Sequence, residues 1–585
     1  MRSIVSLAML MPAMVLASAL QPMTVLPQED GGSQSSGAIT RPAHRPGVDG
    51  GFVIGIVDTV GGTTYDWQSN GPAYRQLINS PEHGIHVAWM FSASDQTTFP
   101  DRNMRYNFYD YSARVWNWAD PDFMQSGVNV YTVRSGFGNM DADPATGVAF
   151  ISAHNNTPIR PVIARDMAPG GGLFEYCDGS PNCEAYQWPY FSVGSTGTPH
   201  VTLIDEASAD LLFYSKVDPW CTFSSPVGVP APQPDPLFPN QNIAASKLSQ
   251  KVCITWVNSP DGATSPNPGF YRISTDGGSS WQNPEELPWP DAYGGDSLTS
   301  FHITSLHPFY DKDDNLHVAA NVMPFVGGQG YIIPAQIWHW SAQNSPNWSM
   351  IHWAGCDPNN LGAAVGYNAS YACRPSLGTD ANGNLFVAWE QFDSANVEIG
   401  PPERLRADIF YSHSSDNGQT WAEAVKITDG GTVTHRFPSI LDWITDTVAV
   451  AYLIDQHCGF YLYAEGPATN NPVVVQKWEN PYGGAVKEQG AVKPHALAAS
   501  ASPNPFARAA RVSYALPRAG QVSLAVYDAA GRPVRVLARG RLAAGQYSTS
   551  WDGRDDQGRN VAAGVYLYKL VLDRETVTGK LLLTN

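Results

Sequence analysis

The sequence predicts an all-β chain of more than one folded domain, and three observations carry that expectation. Only 15% of the 585 residues are charged and 43% are hydrophobic, with 53 Gly and 46 Pro, a composition of many turns and few long helices. A short apolar motif recurs at near-regular spacing from residue 85 to residue 452. Finally, the charge changes sign near residue 500. Residues 503–585 hold 12 Lys/Arg against 6 Asp/Glu, while the rest of the chain holds 23 against 47. Such a step marks a domain boundary. An acidic main body also argues against nucleic acid as partner, because phosphate needs the opposite charge.

At the N-terminus, Arg2 precedes an apolar run from Ile4 to Leu16 and the small residues Ala17-Ser18-Ala19. This reads as a signal peptide over residues 1–19, too short to span a bilayer. No later segment has 18 consecutive apolar residues, so the chain is expected to be exported and not integral to a membrane. Residues 20–50, rich in Gly, Ser, Pro and Gln, read as a disordered leader.

Export permits disulfides among the seven cysteines. Cys177 and Cys183 bracket a turn-forming Asp-Gly-Ser-Pro-Asn and are the first candidate pair. Cys356 with Cys373 is the second. No Cys/His spacing matches a zinc site, and neither metal nor cofactor is expected.

The recurring motif reads Ile85–Trp89, Val148–Ser152, Val201–Asp205, Val252–Trp256, Leu316–Ala320, Leu385–Trp389 and Val448–Tyr452. Its starts lie 63, 53, 51, 64, 69 and 63 residues apart. A period of this size, each unit rich in strand and turn signals, is that of four-stranded propeller blades. Residues 51–478 are therefore expected to form a β-propeller. Gly51–Trp67 would pair with the final blade around Val448–Glu465 to close it.

Two octets follow strand motifs: Ser274-Thr-Asp276-Gly-Gly278-Ser-Ser-Trp281 and Ser414-Ser-Asp416-Asn-Gly418-Gln-Thr-Trp421. A short acid can accept N–H groups of its own turn, glycine supplies a positive φ, and tryptophan anchors the turn. Ser341–Trp348 keeps the frame but lacks Asp and Gly. These octets resemble the Asp box, or bacterial neuraminidase repeat, of sialidase-like propellers. The resemblance implies a structural role at the outer side of the blades. Seven motifs favour seven blades, whereas the sialidase family proper has six.

The same resemblance implies a site at the central channel, built in that family from three arginines, a Tyr/Glu pair and an acid. The early Phe/Tyr-Arg-Ile-Pro motif is missing. Arg374 and Arg436 open the inner strands of successive units, and Glu390 follows Trp389 at the end of a strand motif. Arg374, Arg436, Glu390 and Trp389 are the candidate ligand-binding residues. Guanidiniums on neighbouring strands can clasp an anion, or can satisfy carbonyls around the channel. No catalytic set is assigned. The two function classes are a surface propeller binding glycans or proteins, and an exo-acting, sialidase-like glycoside hydrolase with a divergent site.

Residues 479–502 read as a linker. Beyond them, alternation at Gln521–Tyr527 and strands at Arg511–Leu516, Pro533–Leu537, Gly545–Trp551 and Gly564–Lys569 predict a small immunoglobulin-like β-sandwich over 503–585. The run N-P-F, V-Y-D-x-x-G-R, W-D-G-R-D-x-x-G and G-V-Y-x-Y-K-L from Asn504 onward resembles type IX secretion sorting domains and the Ig-like domain of the flagellar hook-capping protein. The resemblance implies type IX machinery as a partner and a product that is extracellular or held at the bacterial surface. The alternative is an adhesive sandwich with no export role.

Overall fold

The computed structural model describes residues 54–69, 75–156, 159–205, 212–229, 241–258, 266–287, 290, 300–326, 329–356, 363–366, 369–400, 403–428, 430–483, 497–502, 506, 509–516, 518, 520–528, 531–542 and 545–584. The expected signal peptide, the leader and much of the linker lie outside the described residues. The chain divides into two compact units, one of Thr59–Lys426 with Gly430–Val475, the other chiefly Gln476–Asn585. Among the described residues, no helix is long and apolar enough to cross a membrane.

The first unit is all-β and propeller-like. Small, mainly antiparallel sheets of four or five strands follow one another along the chain. Seven of them lie between residues 56 and 479 among the described residues. Each begins with a leading strand: Leu77–Ser80, Ser135–Gly136 with Met140–Ala142, Tyr186–Val193, Asn242–Ala245, Ser300–Tyr310, Ala372–Asp380 (flanked in part by the short Trp443–Ile444) and Thr434–Ile440. We number the sheets one to seven in this order. These leading strands touch in sequence, and the seventh touches the first. There the Ser439 hydroxyl oxygen accepts the amide N–H groups of Gln76 at 2.9 Å and Leu77 at 3.2 Å. In the same way Ser376 accepts from Ile440 at 3.2 Å, joining sheets six and seven.

Closure is made by Ile56–Thr63, which pairs with Asn471–Glu479 at the outer edge of sheet seven. The pairing is therefore with 471–479 and not with 448–465, as the sequence suggested. Thr447–Asp455 is already flanked on both sides, so only the later strand offers an open edge. The third unit, the least regular in sequence, builds a sheet of its own from Tyr186–Val193, Pro199–Asp205, Leu212–Lys216 and Val227–Gly228.

The strand motifs supply the cores. Trp89, Trp256 and Trp389 close three of them and are each fully buried. The two octets form matching turns. Asp276 Oδ1 accepts N–H groups from Ser279 at 3.0 Å and Ser280 at 2.8 Å, and Gly278 N–H donates to Ser274 Oγ at 2.8 Å. Asp416 Oδ1 accepts from Thr420 N–H at 2.9 Å, and Gly418 N–H donates to Ser414 Oγ at 2.9 Å. Trp281 and Trp421 are half-buried against neighbouring cores rather than enclosed, because each also borders solvent at the turn.

The octet glycines have a second reason to be glycine. A Cβ on Gly278 would lie 1.8 Å from the Tyr214 hydroxyl, and one on Gly418 would lie 2.3 Å from the His339 ring. Each turn thus seats on a ring from the preceding sheet. His200 Nδ1 bonds Tyr214 Oη at 2.7 Å, and His317 Nδ1 bonds His339 Nε2 at 2.9 Å, which fixes both rings.

The cysteines correct the sequence reading. Cys177 is bonded to Cys221, 44 residues on, and not to Cys183. Cys177 lies within the strand Phe174–Asp178, whereas Cys183 lies in the following turn with its thiol toward Ser215 and Ser224. Cys356 and Cys373 are not joined by a disulfide. The Cys373 thiol instead donates to Glu390 Oε1 at 3.3 Å.

The second unit holds two sheets. One joins Ala498–Ser502, Ala510–Leu516 and Gly545–Trp551. The other joins Pro533–Leu542, Gly520–Asp528, Gly564–Leu572 and Glu575–Leu583. Their shared core includes Phe506, Val522, Leu524, Val526, Trp551 and Tyr566.

Candidate functional site

Antiparallel pairing places the starts of the leading strands and the ends of the second strands at one end of the first unit. Arg374 and Arg436 open leading strands, Glu390 lies opposite Cys373 in the strand Leu385–Glu398, and Asp455 ends the strand Thr447–Asp455. Four leading strands carry a register shift among the described residues, and three of these are alike: between Gln187 and Tyr190, Cys373 and Ser376, and Arg436 and Ser439, the fourth lying between Ile303 and Ser305. Of the three alike, each holds a proline, and each has one residue at positive φ: Trp188 at 56°, Arg374 at 56° and Phe437 at 59°. A bulge re-aims side chains, and such strained backbone is concentrated at functional sites.

The bulges bring Arg374, Arg436 and Glu390 together. Glu390 Oε1 pairs with Arg374 Nη1, and lies 3.2 Å from Arg436 Nη2. Its Oε2 accepts the Phe437 N–H at 2.8 Å. All three side chains are buried. Burial alone would raise the carboxyl, but both guanidiniums and the Phe437 amide outweigh it and hold Glu390 down at about 2. The anion the arginines clasp is therefore the chain's own. Trp389, next to Glu390, points to the opposite face and packs in the core between sheets, its ring 5.1 Å from His352.

Beside this triad stands an acidic and aromatic group that the sequence did not single out. The Arg436 guanidinium lies over Phe437 at 5.2 Å and Phe460 at 5.5 Å. Phe460 stacks on Trp67 at 5.6 Å, and Trp67 meets Tyr463 at 5.3 Å. Tyr463 is 40% exposed, so this aromatic shelf reaches solvent.

Asp66 precedes Trp67. Its Oδ2 accepts the Tyr461 N–H at 2.6 Å, and its buried Oδ1 has no hydrogen-bond partner. Burial raises its carboxyl to about 7, with Glu465 adding to the effect. Asp455, also buried, is raised by burial and by Asp66. Asp66 thus keeps about half of its population protonated at neutrality, which suits an acid. The sequence carried no advance signal for Asp66 or Asp455, which lie outside the strand motifs. Among the described residues, no cluster of three or more His, Cys, Asp or Glu is arranged to hold a metal ion.

Comparison with known proteins matches residues 506–575 to the FlgD Ig-like domain. The second unit therefore contains a C-terminal Ig-like domain. No curated protein sequence matches the chain. Among solved structures, an ulvan lyase of a new polysaccharide lyase family aligns with 70% of this chain and 99% of its own, at 13% identity and TM-score 0.44. The α-L-arabinofuranosidase Arb93A of Fusarium graminearum aligns over 63% and 93%, at 14% identity and TM-score 0.33. A Dyadobacter fermentans protein of unknown function aligns over 72% and 99%, at 11% identity and TM-score 0.36.

Proposed function

We propose that this chain is an exported carbohydrate-active protein whose first unit is a seven-bladed, Asp-box propeller. Its leading-strand end holds a saccharide and cleaves a glycosidic bond with acid assistance. One observation carries this reading: a buried carboxyl, Asp66, raised to about 7, adjoins an aromatic shelf that reaches solvent at Tyr463. Aromatic faces cover the apolar faces of sugar rings, and a raised carboxyl protonates a departing glycosidic oxygen. As the carbon–oxygen bond breaks, Asp66 gives its proton to the leaving oxygen. Water adds its hydroxyl to the sugar carbon, and its remaining proton restores Asp66.

A second reading is a non-catalytic surface protein that binds glycans or proteins. The occupation of Arg374 and Arg436 by Glu390 favours it, since the arginines expected to grip substrate are engaged internally. A panel of oligosaccharides decides between the two. Under the first reading the intact protein releases new reducing ends, and Asp66→Asn abolishes release while retaining binding. Binding without release by the parent protein establishes the second.

Export is assigned to the C-terminal domain. We take it as the sorting domain of type IX secretion cargo, placing the protein outside the cell or at its surface. The support is the order and spacing of its motifs and the Ig-like match over 506–575.

A further inference from the structure

The same end of the first unit has a cationic side that the proposed chemistry does not use. Arg134 lies immediately before the leading strand of sheet two, and Arg102 immediately before the third strand of sheet one. Arg134 donates from Nε to Phe99 O and from Nη2 to Thr98 O, both at 2.9 Å. Arg102 donates from Nε to Ser135 O at 3.1 Å and from Nη1 to Tyr65 Oη at 3.3 Å. Its guanidinium lies 5.2 Å from the Phe137 ring. Among the described residues no carboxylate forms an ion pair with Arg134. Asp101, whose charge acts on it, is held by the Ser92 hydroxyl at 2.5 Å and the Ala93 amide at 2.8 Å.

The two cations oppose each other. Burial, and then the charge of Arg102, lower Arg134 to about 10. His154 packs its ring on Trp188 at 4.9 Å and on Phe137, the ring that Arg102 also faces, at 5.6 Å; it is 5% exposed and has no partner for Nδ1. Burial and both arginines lower it to about 3, so it is a neutral imidazole, able to donate one N–H. Like charges held close in a poorly solvated place are costly unless an anion joins them. Guanidinium donors match the oxygen pairs of carboxylate and sulfate. Phe137 and Trp188, 5.2 Å apart and half-buried, border the position with ring surface.

We infer that Arg102, Arg134 and His154 form an anion subsite that takes the carboxylate or sulfate of an acidic saccharide. This rests on the proposed carbohydrate reading and names its substrate class. Trp67 connects the two sides, 5.4 Å from Phe137 and 5.6 Å from Phe460. Trp67 itself is 4% exposed, so a bound chain would meet the shelf at Tyr463, with its anionic group toward Arg134 and a neighbouring linkage toward Asp66.

Calorimetric titration of the full chain tests this with three probes: oligogalacturonate (carboxylated), carrageenan oligosaccharide (sulfated) and cellohexaose (neutral). At least one charged probe should bind tenfold or more tightly than cellohexaose, and which one does so separates carboxylate from sulfate. Arg134→Gln should remove the preference, Arg134→Lys should keep part of it, and about 1 M salt should weaken it in the parent protein. Equal binding of cellohexaose and both charged probes overturns the subsite but leaves the carbohydrate reading standing. So does a preference that survives both Arg134→Gln and high salt. Failure of all three probes to bind overturns both proposals. Should Arg134→Gln not fold, the salt dependence and the lysine variant still decide.

Discussion

Glu390 Oε1 lies 3.2 Å from Arg436 Nη2, although 46 residues separate them in the chain and they belong to neighbouring sheets. With Arg374 on its other side, the carboxylate is enclosed by two cations and cannot be removed without leaving both buried charges unpaired. Glu390→Ala should therefore destabilise the first unit by about 3–5 kcal/mol, read by chemical denaturation. Its pH dependence has a definite sign. The folded value, about 2, is below the ordinary carboxylate range. The stabilisation is then complete above about pH 4.5 and is lost as the pH falls through 4.5 toward 2. The variant should lack this acid-sensitive component.

Asp66 behaves oppositely. Its folded value near 7 exceeds the unfolded one, so its contribution is fully present below about pH 4 and is lost as the pH rises through 7. Asp66→Asn should flatten the melting profile between about pH 4 and pH 7, the interval over which the folded state holds a proton that the unfolded state has lost. A variant that melts in parallel with the parent across that range would contradict the raised carboxyl.

The disulfide is checked by peptide mapping. Non-reducing digestion should recover Cys177 joined to Cys221, with Cys183 alkylated only after unfolding. Cys221→Ser should cost on the order of 3–4 kcal/mol for a loop of this length.

Gly418→Ala places a Cβ against His339 at a φ of +74°, where the ring is fixed by His317 and cannot yield easily. The loss should exceed about 1 kcal/mol. Gly558 also has positive φ, at +75°, but its Cβ would meet nothing within 4 Å. Its alanine variant should be the milder, and equal effects would show that the ring contact contributes nothing.

Deleting residues 503–585 should trap a folded first unit in the periplasm of a host with type IX secretion. Fusing those residues to an exported reporter should carry it outside. If the truncated protein reaches the medium, the sandwich is an adhesive domain.

What the sequence determined by itself was local. Seven strand motifs, two octets and the alternation at 521–527 each lie within one element or turn, where periodicity and turn chemistry act directly. The strands of the sandwich were legible for the same reason, although Ala510–Leu516 pairs with Gly545–Trp551 and Gly520–Asp528 with Gly564–Leu572 across intervening strands. Arg374, Arg436 and Glu390 could be marked as charges at strand ends, but not as one another's partners. Tertiary structure decided that, because the bulges at Pro375 and Pro438 turn the chain locally while the carboxylate arrives from another strand. It also decided the bond of Cys177 to Cys221, and the docking of Asp66 on the amide of Tyr461, 395 residues away. Contacts closed across such distances depend on strand order and register, and no local pattern of residues encodes them.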